Sequence, residues 1–181
     1  MTVTHVALLR GINVGRAKRI AMSELRSLVA ALGYEDVRTL LNSGNVVFGV
    51  PAAAKGDPGP RIEKAIAAQL GITSRVTVLT AKELSAIVAA NPLLKLANDP
   101  SRLMVCFLFD PADRTRLQPL SKQDWGDDAL AVGKRVAYVW CKEGVLASQL
   151  MTAVGKALGD AVTARNWATV LKIHALVEEP G

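Results

Sequence analysis

VTHVALLRGINVGRAKRIAMSELRSLVAALGYEDVRTLLNSGNVVF, residues 3–48, decides the fold. Its first seven residues, VTHVALL, are mostly apolar or β-branched and read as a strand. Met22, Leu25, Leu28, Val29 and Leu32 then recur at helical spacing until Gly33 stops the helix. Two short strands follow at residues 37–41 and 45–48, joined across Ser43-Gly44, where glycine supplies the positive φ of a tight hairpin turn. Strand, helix and hairpin in that order are the opening of a βαββαβ unit.

The rest of the unit follows outward from this stretch. GVPAAAKGDPGP (49–60) cannot continue either kind of element and predicts a mobile loop at the opposite end of the third strand from the Asn42 turn. Ile62, Ile66 and Leu70 mark a helix closed by Gly71, and residues 73–79 a fourth strand. Thr80 and Glu83 form a capping-box pattern opening a third helix, which Asn91-Pro92 ends. The first order then returns. LMVCFLF (103–109) reads as a strand, residues 114–117 as a helical turn, and 129–132 with 136–140 as a hairpin through Gly133-Lys134. Ser148 caps a helix ending at Gly159, and Trp167, Val170, Leu171 and His174 give the segment from Asn166 to Val177 an amphipathic helical face. The expected fold class is α+β, with duplicated ferredoxin-like (βαββαβ-type) units, antiparallel sheets and helices on one side. The expected division is a first unit over 1–80, a connecting helix and linker over 81–100, and a related second unit with a C-terminal helix over 101–181.

In such a unit the end of strand one, the start of helix one and the hairpin tip share one edge of the sheet. Here that edge gathers Arg10, Gly11, Asn13, Gly15 and Lys18 with Asn42, Ser43, Gly44 and Asn45. Arginine contributes a forked, charged donor, the amides donate and accept, and glycines allow close approach to backbone N–H groups near a helix N-terminus. Phosphate or carboxylate is the matching guest. Turn chemistry competes for Ser43, Gly44 and Asn45, and a buried ion pair competes for Arg10. Charge favours the same end of the chain: net charge is +6, and the first 60 residues carry seven Lys/Arg against four Asp/Glu. Arg10, Arg16, Lys18 and Arg19 all precede the first acid, Glu24.

Several chemistries lack their residues. There is no GxxxxGK[ST] or GxGxxG, so neither P-loop nor dinucleotide binding is supported. The two histidines, His5 and His174, and two cysteines, Cys106 and Cys141, make no CxxC or HExxH pattern, so no metal site is expected. No cofactor is implied. Asp110, Asp124, Asp127 and Asp128 read as solvated loop charges rather than a paired acid and base, and Trp125 among them is as much a core plug as a stacking platform. No run approaches the length of a membrane span, the N-terminus lacks signal-peptide features, and a cytoplasmic address without a membrane partner is expected.

ALLRGINVG, the lysine and Met-x-x-Leu helix start that follow, SGNVVF, and TARNWATVLK together resemble an uncharacterised bacterial family, domain of unknown function 1697. The resemblance spans nearly the whole chain. It implies an α+β fold with duplicated ferredoxin-like units and no established activity. Arg10, Gly11, Asn13, Gly15, Lys18, Ser43, Gly44, Asn45, Arg165, Asn166 and Trp167 fall on the family's motif positions. The chain departs from the family pattern at Arg16, where a second glycine is usual, and at Ala17, where a small polar residue is common. Arg165 would add a second cation to the Arg10 edge and Asn166 another amide; the competing reading is that Thr163 or Asn166 caps the last helix while Trp167 packs in the core.

Three functions follow. The first is binding of an anionic ligand at Arg10, Asn13, Lys18, Asn42, Ser43, Asn45, Arg165 and Asn166, with a phosphorylated small molecule as partner. Nucleic acid is the less favoured ligand, since aromatics are only 4% of the chain. The second is an enzyme using the same cluster for electrostatic stabilisation, although no general base is evident. The third is a module that oligomerises through an uncovered sheet face.

Overall fold

A computed structural model describes all residues, 1–181. The chain divides into two compact units, Met1–Ser85 with Ile173–Gly181, and Ala86–Lys172. In the first, the order is β1 (Thr2–Leu9), α1 (Met22–Ala31), β2 (Glu35–Leu40), β3 (Asn45–Pro51), α2 (Pro58–Leu70) and β4 (Val76–Thr80), followed by α3 (Ala81–Ala89). The strands form one antiparallel sheet in the order β2-β3-β1-β4, the ferredoxin-like arrangement. Strand alternation sends Ala7, Leu9, Val46, Phe48 and Val76 to one face, where Leu25, Leu28 and Val29 of α1 and Ile62, Ala65 and Ile66 of α2 close the core. Both helices therefore lie on one side. Val6, Leu8, Val47 and Leu79 point the other way and are also buried.

The second unit repeats the plan with β5 (Leu103–Leu108), a 3₁₀ segment (Pro111–Leu117) running into α4 (Gln118–Ser121), β6 (Ala129–Val132), β7 (Val136–Trp140), α5 (Gln149–Leu158), β8 (Val162–Asn166) and α6 (Trp167–Glu178). Its sheet order is β6-β7-β5-β8, again antiparallel. Cys106, Leu108, Ala137 and Val139 share a core with Leu150, Val154 and Leu158 of α5. Val105, Phe107, Val136 and Tyr138 are buried on the other face.

Two local readings are corrected. The loop expected over 49–60 is only six residues long, because β3 continues to Pro51 and α2 begins at Pro58. Proline at the first helical position has its φ already set, and Asp57 Oδ1 accepts from Gly59 N at 3.1 Å, so this Pro/Gly run starts a helix. Its placement holds: Pro51 pairs with Thr2, at the other end of the sheet from the Asn42 turn. The second correction is β8, a strand absent from the sequence reading. VTARN forms an edge strand and places Arg165 opposite Val105, at 8% exposure, and a charged residue there breaks the apolar pattern that marks a strand.

The duplication is residue by residue at this end of each unit. Leu8 pairs with Thr77 as Phe107 pairs with Thr163. Arg10 N donates to Arg75 O as Phe109 N donates to Ala161 O. Thr80 caps α3 through Glu83, with bonds of 2.7 and 3.1 Å, and Asn166 Oδ1 accepts from Thr169 N at 2.9 Å to cap α6. Leu84 and Ile87 in α3 match Val170 and Ile173 in α6, all four buried. On this alignment Arg165 stands where the first unit has the core residue Leu79.

Candidate functional site

The expected edge exists in the first unit. β1 ends beside the hairpin turn, where Leu8 pairs with Asn45 and Leu9 N donates to Gly44 O at 2.9 Å. The loop from residue 10 to 20 returns over this turn. Gly11, Asn13, Gly15 and Lys18 all have positive φ, between 51° and 65°. Such left-handed residues turn successive N–H groups into shallow concavities that suit anions.

Asn13 organises the loop rather than offering itself to a ligand. Its Nδ2 donates to Ile20 O at 2.9 Å and to Asn42 O at 2.8 Å, while its Oδ1 accepts from Ile20 N at 2.9 Å. Both Nδ2 protons are spent, and the amide joins the loop to the hairpin turn. Asn45 behaves alike: buried at 1% exposure, its Nδ2 donates to Leu40 O at 2.8 Å and Ser43 Oγ at 2.9 Å. Gly44 serves packing. At φ +86° an added Cβ would sit 2.7 Å from Ile12 Cδ1 and 2.9 Å from Leu9 Cβ, whereas Gly11 and Gly15 have nothing within 4 Å.

The cleft at this edge, about 410 Å³, is lined by Asn13, Arg19, Ile20, Ala21, Glu24 and Asn42. Of the residues picked from sequence, Asn13 and Asn42 line it; Lys18 is exposed on the loop beside it; Arg10, Ser43 and Asn45 do not line it. Arg10 is half-buried, with its backbone held by Arg75 O and Ser74 Oγ. Arg19 and Glu24 were missed as site residues. The signal for Arg19 was its place in a run of four cations before any acid. The N-terminus of α1 opens onto the cleft at Ala21, whose side chain cannot cap it. Arg16, Lys18 and Arg19 are exposed and form no ion pair, whereas Arg38, Arg102, Arg116 and Lys142 each meet a carboxylate.

Arg165 and Asn166 belong to the second unit. Arg165 is buried, Nη1 donating to Ala164 O at 2.9 Å, and burial depresses its pKa to about 10. Asn166 is occupied as the α6 cap and Trp167 is buried, as the structural reading of that motif expected.

A cleft of about 600 Å³ lies elsewhere in the second unit and has the wrong sign for an anion: Asp124, Asp127, Asp128 and Glu143 face only Lys142. Its acids do structural work. Asp128 accepts from Lys142 N and Ser148 Oγ, Asp124 from Gly126 N, and Asp127 pairs with Lys142 Nζ at 3.1 Å. Asp110 caps the 3₁₀ segment, and Trp125 Nε1 donates to Leu120 O. His174 Nε2 lies 3.0 Å from Ser85 Oγ and 3.6 Å from Glu178 Oε1. Hydroxyl and carboxylate meet the same ring nitrogen, which is not the geometry of a catalytic relay. Cys106 is fully buried, and burial with the nearby Cys141 pushes its pKa up to about 12, the mark of an inert thiol.

The chain matches the family model described as protein of unknown function (DUF1697) over residues 1–138, and it belongs to that family. The loop and turn of the candidate site lie inside the matched residues; the Arg165-Asn166-Trp167 motif lies beyond them. No curated protein matches. Among solved structures the chain is similar to the conserved bacterial protein SP0830 from Streptococcus pneumoniae. Identity is 23%, the TM-score is 0.81, and the match covers 98% of this chain and 100% of that one. That likeness speaks to the fold. No helix is long and apolar enough to cross a membrane.

Proposed function

We propose that this member of a family of unknown function binds a phosphate- or carboxylate-bearing ligand at the first-unit edge formed by the 10–20 loop and the 41–44 turn. One observation carries the reading: Arg16, Lys18 and Arg19 stand exposed, without ion pairs, beside a cleft onto which the uncapped α1 N-terminus opens. An anion about 4 Å from one such cation gains roughly 1–4 kcal/mol at the dielectric of a protein surface. Lys18 adds a second support. A lysine at φ 51° costs about 1–2 kcal/mol that asparagine or glycine would largely avoid, and backbone strain of this kind gathers at functional loops. Glu24 sets a limit, since its carboxylate lines the cleft and steers an anion toward Arg19 and the loop. The site proposed here is confined to the first unit.

Thermal unfolding with inorganic pyrophosphate, citrate and a short oligonucleotide at low ionic strength tests the proposal. A ligand at a hundred times its Kd adds about 2.7 kcal/mol to stability. The expected result is stabilisation by pyrophosphate in the wild type and its loss in the double variant Lys18→Asn with Arg19→Gln. Equal stabilisation of both proteins, or none by any of the three anions, removes the site.

A further inference from the structure

We propose that the anions met by this loop are the headgroups of a lipid surface, on which the 10–20 loop and the 41–44 turn dock with Val14 and Leu41 as apolar anchors. The inference rests on the proposed function and goes further by naming the partner. It also departs from the expectation of no membrane contact, since the lack of a spanning helix bears on crossing a bilayer and not on lying against one.

Val14 is 73% exposed and Leu41 45%. Exposed apolar side chains scattered singly are ordinary, but these two are not independent. Val14 adjoins Asn13, Leu41 adjoins Asn42, and the Asn13 Nδ2 to Asn42 O bond ties those neighbours together at 2.8 Å. Gly44, packed on Ile12, fixes the same juncture from below. Leu41 is also held at φ +57°, a region in which a branched side chain is strained and asparagine or glycine is at ease. The fold thus keeps a leucine half in solvent at a position that does not suit it.

The surroundings identify what covers it. Arg16, Lys18 and Arg19 follow Val14 on the same loop without counter-charges, and Arg19 shares the cleft with Asn13 and Asn42, so the complementary surface combines apolar and anionic groups, as a bilayer with acidic headgroups does. Each such cation near an anionic leaflet strengthens binding roughly fivefold. Nucleic acid matches less well. No Phe, Tyr or Trp of the chain is exposed, so bases would find no stacking platform, and Val14 and Leu41 would stay uncovered on a phosphodiester backbone.

Co-sedimentation of the full chain with vesicles tests this, comparing pure phosphatidylcholine with phosphatidylcholine containing phosphatidylglycerol, and pyrophosphate stabilisation is measured alongside. The wild type should sediment with the anionic vesicles and not with the neutral ones. The double variant Val14→Ser with Leu41→Asn should bind them roughly tenfold to a hundredfold more weakly, from the apolar area it withdraws. Its melting temperature checks that it folds, which asparagine at φ +57° favours. Undiminished binding by that variant overturns the anchors. Pyrophosphate stabilisation without vesicle binding overturns the lipid partner while the proposed function stands, and absence of both removes the two together. Tighter binding to an oligonucleotide than to anionic vesicles assigns the surface to nucleic acid and overturns the inference.

Discussion

Asn13 is the test of how the candidate edge is built. Its side chain makes three hydrogen bonds, to Ile20 N, Ile20 O and Asn42 O, at 2.8–2.9 Å. At about 1 kcal/mol net for each, discounted for the more exposed bond to Asn42, Asn13→Gly should lose about 2–3 kcal/mol. Glycine keeps the positive φ, so this loss isolates the side chain. Asn13→Ala should lose about 0.5–1 kcal/mol more, because alanine resists φ 54° by more than glycine loses through unfolded-chain entropy. Trp125, Trp140 and Trp167 all lie in the second unit, so tryptophan fluorescence is the wrong probe and far-UV circular dichroism in urea the right one. If the first unit unfolds on its own, the melting point should fall by roughly 10–20 °C; if the chain unfolds as one, by roughly 5–10 °C. A loss below about 1 kcal/mol in both variants would refute the stapled loop, because three intact bonds cannot be removed from a part-buried site at so little cost.

The remaining predictions concern single positions. Lys18→Asn should leave stability unchanged or raise it by up to about 1 kcal/mol while weakening anion binding, and a loss of stability in urea would show the lysine to be structural. Gly44→Ala should cost about 2–4 kcal/mol from combined φ strain and overpacking on Ile12; a neutral effect in the same assay would refute the close packing of turn on loop. Cys106, with its thiol pKa raised from 9.0 to about 12 by burial, keeps its proton in the native state at alkaline pH where the unfolded chain loses it. Stability then falls with rising pH above about 9, by about 1.4 kcal/mol per unit for this group, and is unaffected below. The stability gap between wild type and Cys106→Ala should therefore shrink by about 1.4 kcal/mol between about pH 7 and pH 10, and a constant gap would refute the buried thiol.

The order of elements was legible because most obey local rules: the apolar period of α1, the glycine turn at 43–44, the Thr80-Glu83 box and the Ser148 cap all act within a few residues. β8 was illegible for a nonlocal reason. Arg165 is buried on an edge strand that pairs with β5, far away in sequence, and no pattern of neighbours announces it. The site divides in the same way. Topology correctly predicted that the end of β1 and the hairpin tip meet. It could not tell an amide aimed at a ligand from one spent on the fold: Asn13 and Asn45 donate to nearby backbone, and Asn166 Oδ1 accepts as the α6 cap. Arg19 was passed over because its value lies in exposure without a counter-ion, which emerges only after every carboxylate has been placed.

Comparison of the two copies separates what this edge needs for folding from what it does not. Both units close the end of their first strand with the same backbone bonds, Arg10 N to Arg75 O in one and Phe109 N to Ala161 O in the other. After that bond the second copy runs directly into an Asp110-capped 3₁₀ segment, whereas the first inserts a loop with residues of positive φ and cations at Arg16, Lys18 and Arg19. The ferredoxin-like unit is evidently complete without that loop. Within it, Asn13, Ile12 and Gly44 hold the conformation, so their side chains are accounted for by the loop's own stability. The exposed cations meet no carboxylate, Val14 and Leu41 stand largely in solvent, and Lys18 and Leu41 sit at backbone angles that disfavour them. Residues that neither the shared fold nor the loop requires, kept at a conformational cost, are where a partner's contribution to the free energy is to be sought.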